Sequence, residues 1–267
     1  MKFFEDVLGA APRTGLVTSA RRRHRAHLSD AVGLLKQSQT PRELNRLLAA
    51  VPQAVAPLMS THMKIVALSS GEILHEPGEP IDYVYFPRNG FVSLVTVMRS
   101  GQAIENAMIG REGAVGTKSA FGRKLSLTRA VVQASGTAAR ISAPHFQIAV
   151  MESPGLRELI ARFNEVLVAQ IQQTAACYAA HNLHKRLCGW LLAAADHADG
   201  QTIQMTQERL AQTLGVHRGR LNAVLRGLQR QDLIRYYQRG DIRLNRPRLE
   251  AETCECYRVI QRFRKEQ

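Results

Sequence analysis

Four side chains in one short stretch carry the chemistry most easily named from residue type: Arg218, Arg220, Asn222 and Arg226. A guanidinium can place two parallel hydrogen bonds on O6 and N7 of guanine, an Asn amide can do the same on adenine, and any Arg can neutralise a phosphate. His217, just ahead of them, suits a phosphate contact, and Thr206 and Arg239 flank the same surface. A second group has the chemistry of an anion cradle. Gly110, Arg111 and Glu112 begin a loop closed by Gly113, with Arg123, Ser126 and Thr128 close behind. Glycines beside Arg, Ser and Thr can hold an anion through backbone N–H groups and guanidinium, although a plain surface loop has the same composition.

The elements that must present the first group are two helices. Thr206 is an N-cap type, with Glu208 near the positive helix end; Leu210, Ala211 and Leu214 share one face, and Gly215 ends the helix. After Val216 a second helix carries Leu221, Val224, Leu225 and Leu228 at i, i+3, i+4, i+7. Its arginines and Asn222 lie beside or opposite that stripe. This is a helix-turn-helix pattern, although a helix pair with a solvated charged face would look similar. Residues 233–237 and 242–244 then read as a hairpin, a wing with Arg239 and Gly240 in its turn.

Charge supports a polyanionic partner. The chain has 267 residues, 36 Lys+Arg against 22 Asp+Glu and a net charge of +14. Residues 183–267 hold 16 basic and 9 acidic side chains, and residues 1–40 hold 7 and 3. No apolar run approaches 18 residues, and Glu5 and Asp6 interrupt a signal-peptide core after Phe4, so a cytoplasmic protein without a membrane partner is expected. The cysteines Cys177, Cys188, Cys254 and Cys256 have no zinc-finger spacing; neither a metal site nor a cofactor is expected. Without paired catalytic carboxylates or a nucleophile elbow, an enzyme is not expected either.

In chain order, residues 1–40 form a basic tail with Arg21, Arg22, Arg23 and Arg25, either flexible or an arm for phosphates. Residues 41–152 form a sensor domain. It opens with a docking helix capped by Thr40 and broken by Pro52 and Pro57, and continues as short strands: 64–68, 72–75, 83–86, 91–98, 103–108, 129–133 and 138–142. Frequent glycines between strands predict a small sandwich or barrel. Residues 153–182 form one helix in which Leu156, Ile160, Phe163, Leu167, Gln170, Thr174 and Cys177 keep coiled-coil spacing, so self-pairing is expected, with packing on its own β-domain as the alternative. Residues 183–267 form the winged helix-turn-helix domain, closed by a last helix opened by Pro247. The fold class is α+β.

The segments Gly71–Val97, GREGAVG (Gly110–Gly116) and Met205–Leu244, in this order, resemble the Crp/Fnr family of bacterial transcription regulators, and the CECY tail (Cys254–Tyr257) resembles one subgroup of it. The resemblance covers about residues 40–262. It implies a cyclic-nucleotide-binding-like β-roll or jelly-roll barrel, a dimerisation helix, and a homodimer on a two-fold symmetric stretch of double-stranded DNA, with RNA polymerase as a further partner. The recognition helices would sit about 34 Å apart. Members that bind cyclic AMP carry a Glu in the Gly-rich loop and an adjacent Arg-Ser or Arg-Thr pair beyond it. Arg111 stands at the Glu position, and Arg123–Arg129 contains no such pair. An all-donor guanidinium cannot accept ribose hydroxyl protons, so another small anion, or no ligand, is expected. The Arg218 position matches a base-contacting Arg, whereas Gly219 and Ala223 replace further contacts of the cyclic-AMP receptor. A ligand-sensing scaffold whose winged helix binds protein is the alternative function.

Overall fold

The computed structural model describes residues 45–121, 125–198, 200, 202–237 and 240–265. Arg123, Arg239, residues 1–40 and the helix start at Thr40, Pro41 and Leu44 lie outside the described residues.

A short helix, α1 (Arg46–Ala49), precedes the sheets. Its N-cap is the fully buried Asn45, whose Oδ1 accepts from Leu48 N at 2.9 Å while Nδ2 donates to the carbonyls of Pro87 (2.8 Å) and Gly113 (3.0 Å). One amide therefore fastens the helix to a strand end and to the Gly-rich loop. Helix α2 (Ala56–His62) follows. Pro57 was expected to break a helix, but it sits in the first turn of this one, where its missing N–H costs no hydrogen bond.

Strands β1 (Lys64–Leu68), β2 (Ile73–His75), β3 (Tyr83–Pro87), β4 (Phe91–Val97), β5 (Ala103–Ile109), β6 (Arg129–Ala134) and β7 (Gly136–Ser142) fall, within one or two residues at each end, on the short stretches between glycines that the sequence predicts as strands. They form two antiparallel sheets, β1-β7-β3 and β2-β6-β4-β5. Val84, Phe86 and Ile141 of one and Val92, Ala130 and Val132 of the other share one core, so the domain is a β-sandwich.

Helix α3 (Ala143–Glu152), which the apolar pattern does not predict, leads into α4 (Pro154–Ala180), a 27-residue helix capped by Ser153, whose hydroxyl accepts from Leu156 N at 3.2 Å. Leu156, Ile160 and Phe163, the apolar half of the expected pairing seam, are at most 4% exposed within the sandwich core. That seam is used internally, packed into the core of the sandwich rather than left open. The residues α4 leaves exposed include a different 4-3 row: Ala161, Glu165, Val168, Gln172, Ala175 and Ala179.

The C-terminal part consists of α5 (Leu183–His197), β8 (Thr202–Gln204), α6 (Gln207–Thr213), α7 (Arg218–Arg230), β9 (Ile234–Tyr236), β10 (Asp241–Leu244), α8 (Arg246–Glu252) and α9 (Glu255–Lys265). Leu187, Leu191, Leu210, Leu221, Leu228 and Ile242 are fully buried at its centre. Each such burial stabilises by roughly 1.5–3 kcal/mol. The wing is a three-stranded sheet, β8-β10-β9, rather than a bare hairpin. The single last helix expected after Pro247 is two helices: Thr253 is extended (ψ 158°) and turns the chain between α8 and α9.

Candidate nucleic-acid interface

Helix α6 begins where Thr206 accepts from Arg209 N at 3.3 Å and ends at Gly215, whose φ of +64° is open to glycine at little cost. A Cβ there would also press within 3.0 Å of Ile104. His217 caps α7, its Nδ1 accepting from Gly219 N at 3.4 Å. With Leu221, Leu225 and Leu228 turned inward, His217, Arg218, Arg220 and Arg226 are exposed, and among the described residues no side-chain hydrogen bond or ion pair holds the three arginines. Their charge is available to a polyanion. Asn222 differs. It is half-buried, and its Oδ1 is buried without a partner among the described residues. A bidentate contact with adenine uses both amide atoms, so it requires the amide to turn outward.

The turn between α6 and α7 is held from outside. Three successive carbonyls at the end of α6, which no helical N–H satisfies, accept from three other elements. Tyr178 Oη of α4 donates to Thr213 O at 3.3 Å, Arg186 of α5 to Leu214 O at 2.8 Å, and Gln102 of the sandwich to Gly215 O at 3.1 Å. Arg186 also lies over the Tyr178 ring at 3.6 Å. From the other side, Arg209 of α6 donates to Ser70 Oγ, and to Val132 O and Gln133 Oε1 at 3.0 Å each. Sequence reasoning missed all of these. Tyr178, Arg186 and Gln102 show no periodic signal, because their partners come from distant parts of the chain.

Beside this grip lie two buried carboxylates. Glu105 of β5 accepts from Ser93 Oγ and from Trp190 Nε1 (2.8 Å) of α5; burial pushes its carboxyl up to about 7, against the opposing pull of those two donors and Arg264. Glu112 follows the Gly-rich loop's Arg111. Its Oε1 accepts from Gly110 N at 3.1 Å, its Oε2 lies 3.3 Å from His197 Nδ1, and Arg264 Nε of α9 is 4.0 Å away. Burial alone would raise this carboxyl, but His197 and Arg264 outweigh it and hold the group well below the usual carboxylate range. Gly110 is packed so closely that a Cβ would meet His197 Nδ1 at 2.3 Å.

The candidate anion residues therefore bond to two sets of partners. Gly110 and Glu112 engage the C-terminal part, and Arg111 O accepts from Arg46 N at 2.7 Å. Ser126 is buried, with its hydroxyl donating to Thr128 O at 2.6 Å and its backbone paired with Gly78 and Glu79.

A β-sandwich followed by a long helix and a winged helix-turn-helix is a two-domain architecture with a DNA-binding type of C-terminal fold. Residues 65–153 match the family model of the cyclic nucleotide-binding domain, and residues 185–252 match that of the Crp-like helix-turn-helix domain. The chain belongs to the Crp/Fnr family and is a transcriptional regulator of that type. Solved structures share its fold. A putative Crp/Fnr regulator from Eubacterium rectale is 17% identical with a TM-score of 0.64, over 78% of this chain and 97% of that one. FixK2 from Bradyrhizobium japonicum is 15% identical with a TM-score of 0.62, over 72% and 98%. The c-di-GMP responsive global regulator CLP of Xanthomonas campestris is 16% identical with a TM-score of 0.60, over 72% and 99%. No curated protein matches the chain in sequence. No helix among the described residues is long and apolar enough to cross a membrane.

Proposed function

We propose that this regulator binds a two-fold symmetric operator as a homodimer. Arg218, Arg220 and Arg226 are its groove and phosphate contacts, and the sandwich's grip on the α6–α7 turn is the element that an effector alters. The carrying observation is the pair of opposite environments on one helix-turn-helix: an unpaired cationic face, and a turn whose carbonyls at Thr213, Leu214 and Gly215 are bound from α4, α5 and the sandwich. Any ligand that moves Gln102, or the strands Arg209 holds, changes where α7 points.

The homodimer uses the exposed row on α4 from Ala161 to Ala179, with Val168, 52% exposed, at its centre. The effector is a small anion other than cyclic AMP: by the family resemblance Arg111 stands where a ribose-binding Glu is expected, and the neighbouring Glu112 is already committed to His197 and Arg264. CLP's responsiveness to c-di-GMP makes a cyclic dinucleotide one anion to try. Contact with RNA polymerase follows from the family resemblance.

The test is operator selection from random duplexes with the full chain, with and without small molecules recovered from it, alongside sedimentation. A dimer that enriches a palindromic sequence, with Val168→Glu giving monomers that bind it weakly, is expected. A monomer, or no enrichment, overturns the proposal.

A further inference from the structure

The end of α4 and the break between α8 and α9 bring four metal-ligand side chains to one point. Cys177 lies in the last turn of α4 and His181 is its C-cap, four residues on and so on the same face. Cys254 lies in the break and Cys256 in the first turn of α9. The four ligand atoms all lie within 4.8 Å of one another. Cys177 Sγ is 3.6 Å from Cys254 Sγ, and Cys256 Sγ is 3.6 Å from His181 Nδ1. A tetrahedral zinc ion, with Zn–S near 2.3 Å and Zn–N near 2.0–2.1 Å, sets its ligand atoms roughly 3.5–3.8 Å apart. A cluster of several irons would spread them further.

Two observations separate this from thiols packed as small apolar groups. Cys188, fully buried in the C-terminal core, shows that ordinary use and stands apart from the cluster. His181, moreover, is oriented: its second nitrogen, Nε2, lies 3.4 Å from Glu255 Oε2, the carboxylate–histidine arrangement that fixes the ring of a metal ligand. Gln173 Nε2 in turn donates to Cys256 Sγ at 3.1 Å.

We propose that Cys177, His181, Cys254 and Cys256 form a site for one tetrahedral zinc ion. Binding breaks three S–H bonds, releases three protons to solvent and leaves Zn–S bonds to three thiolates and one Zn–N bond to neutral His181. The ion ties the extended break between α4 and α5 at His181 and Asn182 to α9, the helix whose Arg264 approaches Glu112. It therefore restrains the connection between α4 and the C-terminal domain. The site does not rest on the proposed operator or effector, and metal content is measured without DNA.

The full chain, reduced and stripped of metal, is titrated with zinc against a chromogenic chelator, and separately loaded with cobalt. One zinc per chain is expected, as is a cobalt spectrum with thiolate-to-cobalt charge transfer and the intense d–d bands of a tetrahedral site. Cys254→Ser and Cys256→Ser should lose stoichiometric binding, and Cys188→Ala should keep it. Glu255→Gln, at a position whose side chain is 73% exposed, should weaken zinc binding about 10- to 100-fold. The proposal is overturned by a parent chain that binds no zinc, by an octahedral cobalt spectrum, by a Cys177–Cys254 disulfide in the protein as isolated, or by Cys188→Ala losing zinc as Cys254→Ser does.

Discussion

The C-terminal domain uses arginine in two opposite ways. Arg218, Arg220 and Arg226 on α7 are exposed, with no hydrogen-bond or ion-pair partner among the described residues. Arg186, Arg209 and Arg264 instead donate to backbone carbonyls of Leu214, Val132 and Met108, at 2.8, 3.0 and 3.4 Å. Fixed carbonyls at a helix end and along strands suit a guanidinium fork, whose donors are pre-set in a plane. The first group keeps its charge for a partner, and the second uses it to join domains. Substitution on the two sides should therefore separate cleanly: interface changes move stability, and surface changes move DNA affinity.

The largest effect is expected at Glu112. Its removal leaves His197 and Arg264, 3% and 9% exposed, without their carboxylate. Breaking such a buried pair costs about 3–5 kcal/mol. Urea unfolding of Glu112→Ala at neutral pH should show that loss; under about 1 kcal/mol, it would rank with surface ion pairs and the interface side of the comparison would fail. Because the folded carboxyl titrates below its ordinary 4.5, its contribution is complete above that pH and is lost as pH falls through the depressed value.

Glu105 has the opposite sign. Its folded carboxyl titrates near 7 rather than 4.5, so the folded state holds an extra proton between those values. Stability falls as pH rises across that window and levels off above it. Glu105→Gln, which keeps an acceptor for Trp190, should remove this slope and stabilise the protein at pH 8 by up to about 3 kcal/mol. An unchanged pH profile would mean that Glu105 is not the group that titrates between the domains.

Local pattern made one half of this comparison legible and hid the other. The 3.6-residue period of Leu221, Leu225 and Leu228 places the arginines of α7 outward, and Thr206 and Gly215 mark the ends of the first helix, because those signals depend only on near neighbours. Arg209 and Arg264 meet their acceptors across 77 and 156 residues, and no window along the chain contains both partners. The pairing seam failed for a related reason. Spacing identified Leu156, Ile160 and Phe163 as one apolar stripe, but a stripe does not say whether its own sheet or another copy covers it. Spacing along the chain gives no metal signal for the cysteines, because the extended Thr253 is what brings Cys254 back to Cys177.

On the exposed side, Arg218→Ala should cost about 1–3 kcal/mol of operator affinity and relax preference at one base pair. Thermal stability should move by no more than about 0.5 kcal/mol, since among the described residues the exposed side chain makes no hydrogen bond or ion pair. Equal affinity of variant and parent for a selected operator would remove Arg218 from the base contacts.

Arg226 gives the smallest effect and the finest division of the surface. It lies two turns beyond Arg218 on α7, away from the helix start that enters a groove first, so phosphate is its expected partner. Arg226→Ala should weaken binding to every duplex about equally. It should also reduce the slope of log affinity against log salt by about one, while selected and random sequences keep their ratio. A changed ratio with an unchanged slope would instead make Arg226 a base contact, and the cationic face of α7 would then read sequence along more of its length than its first turn.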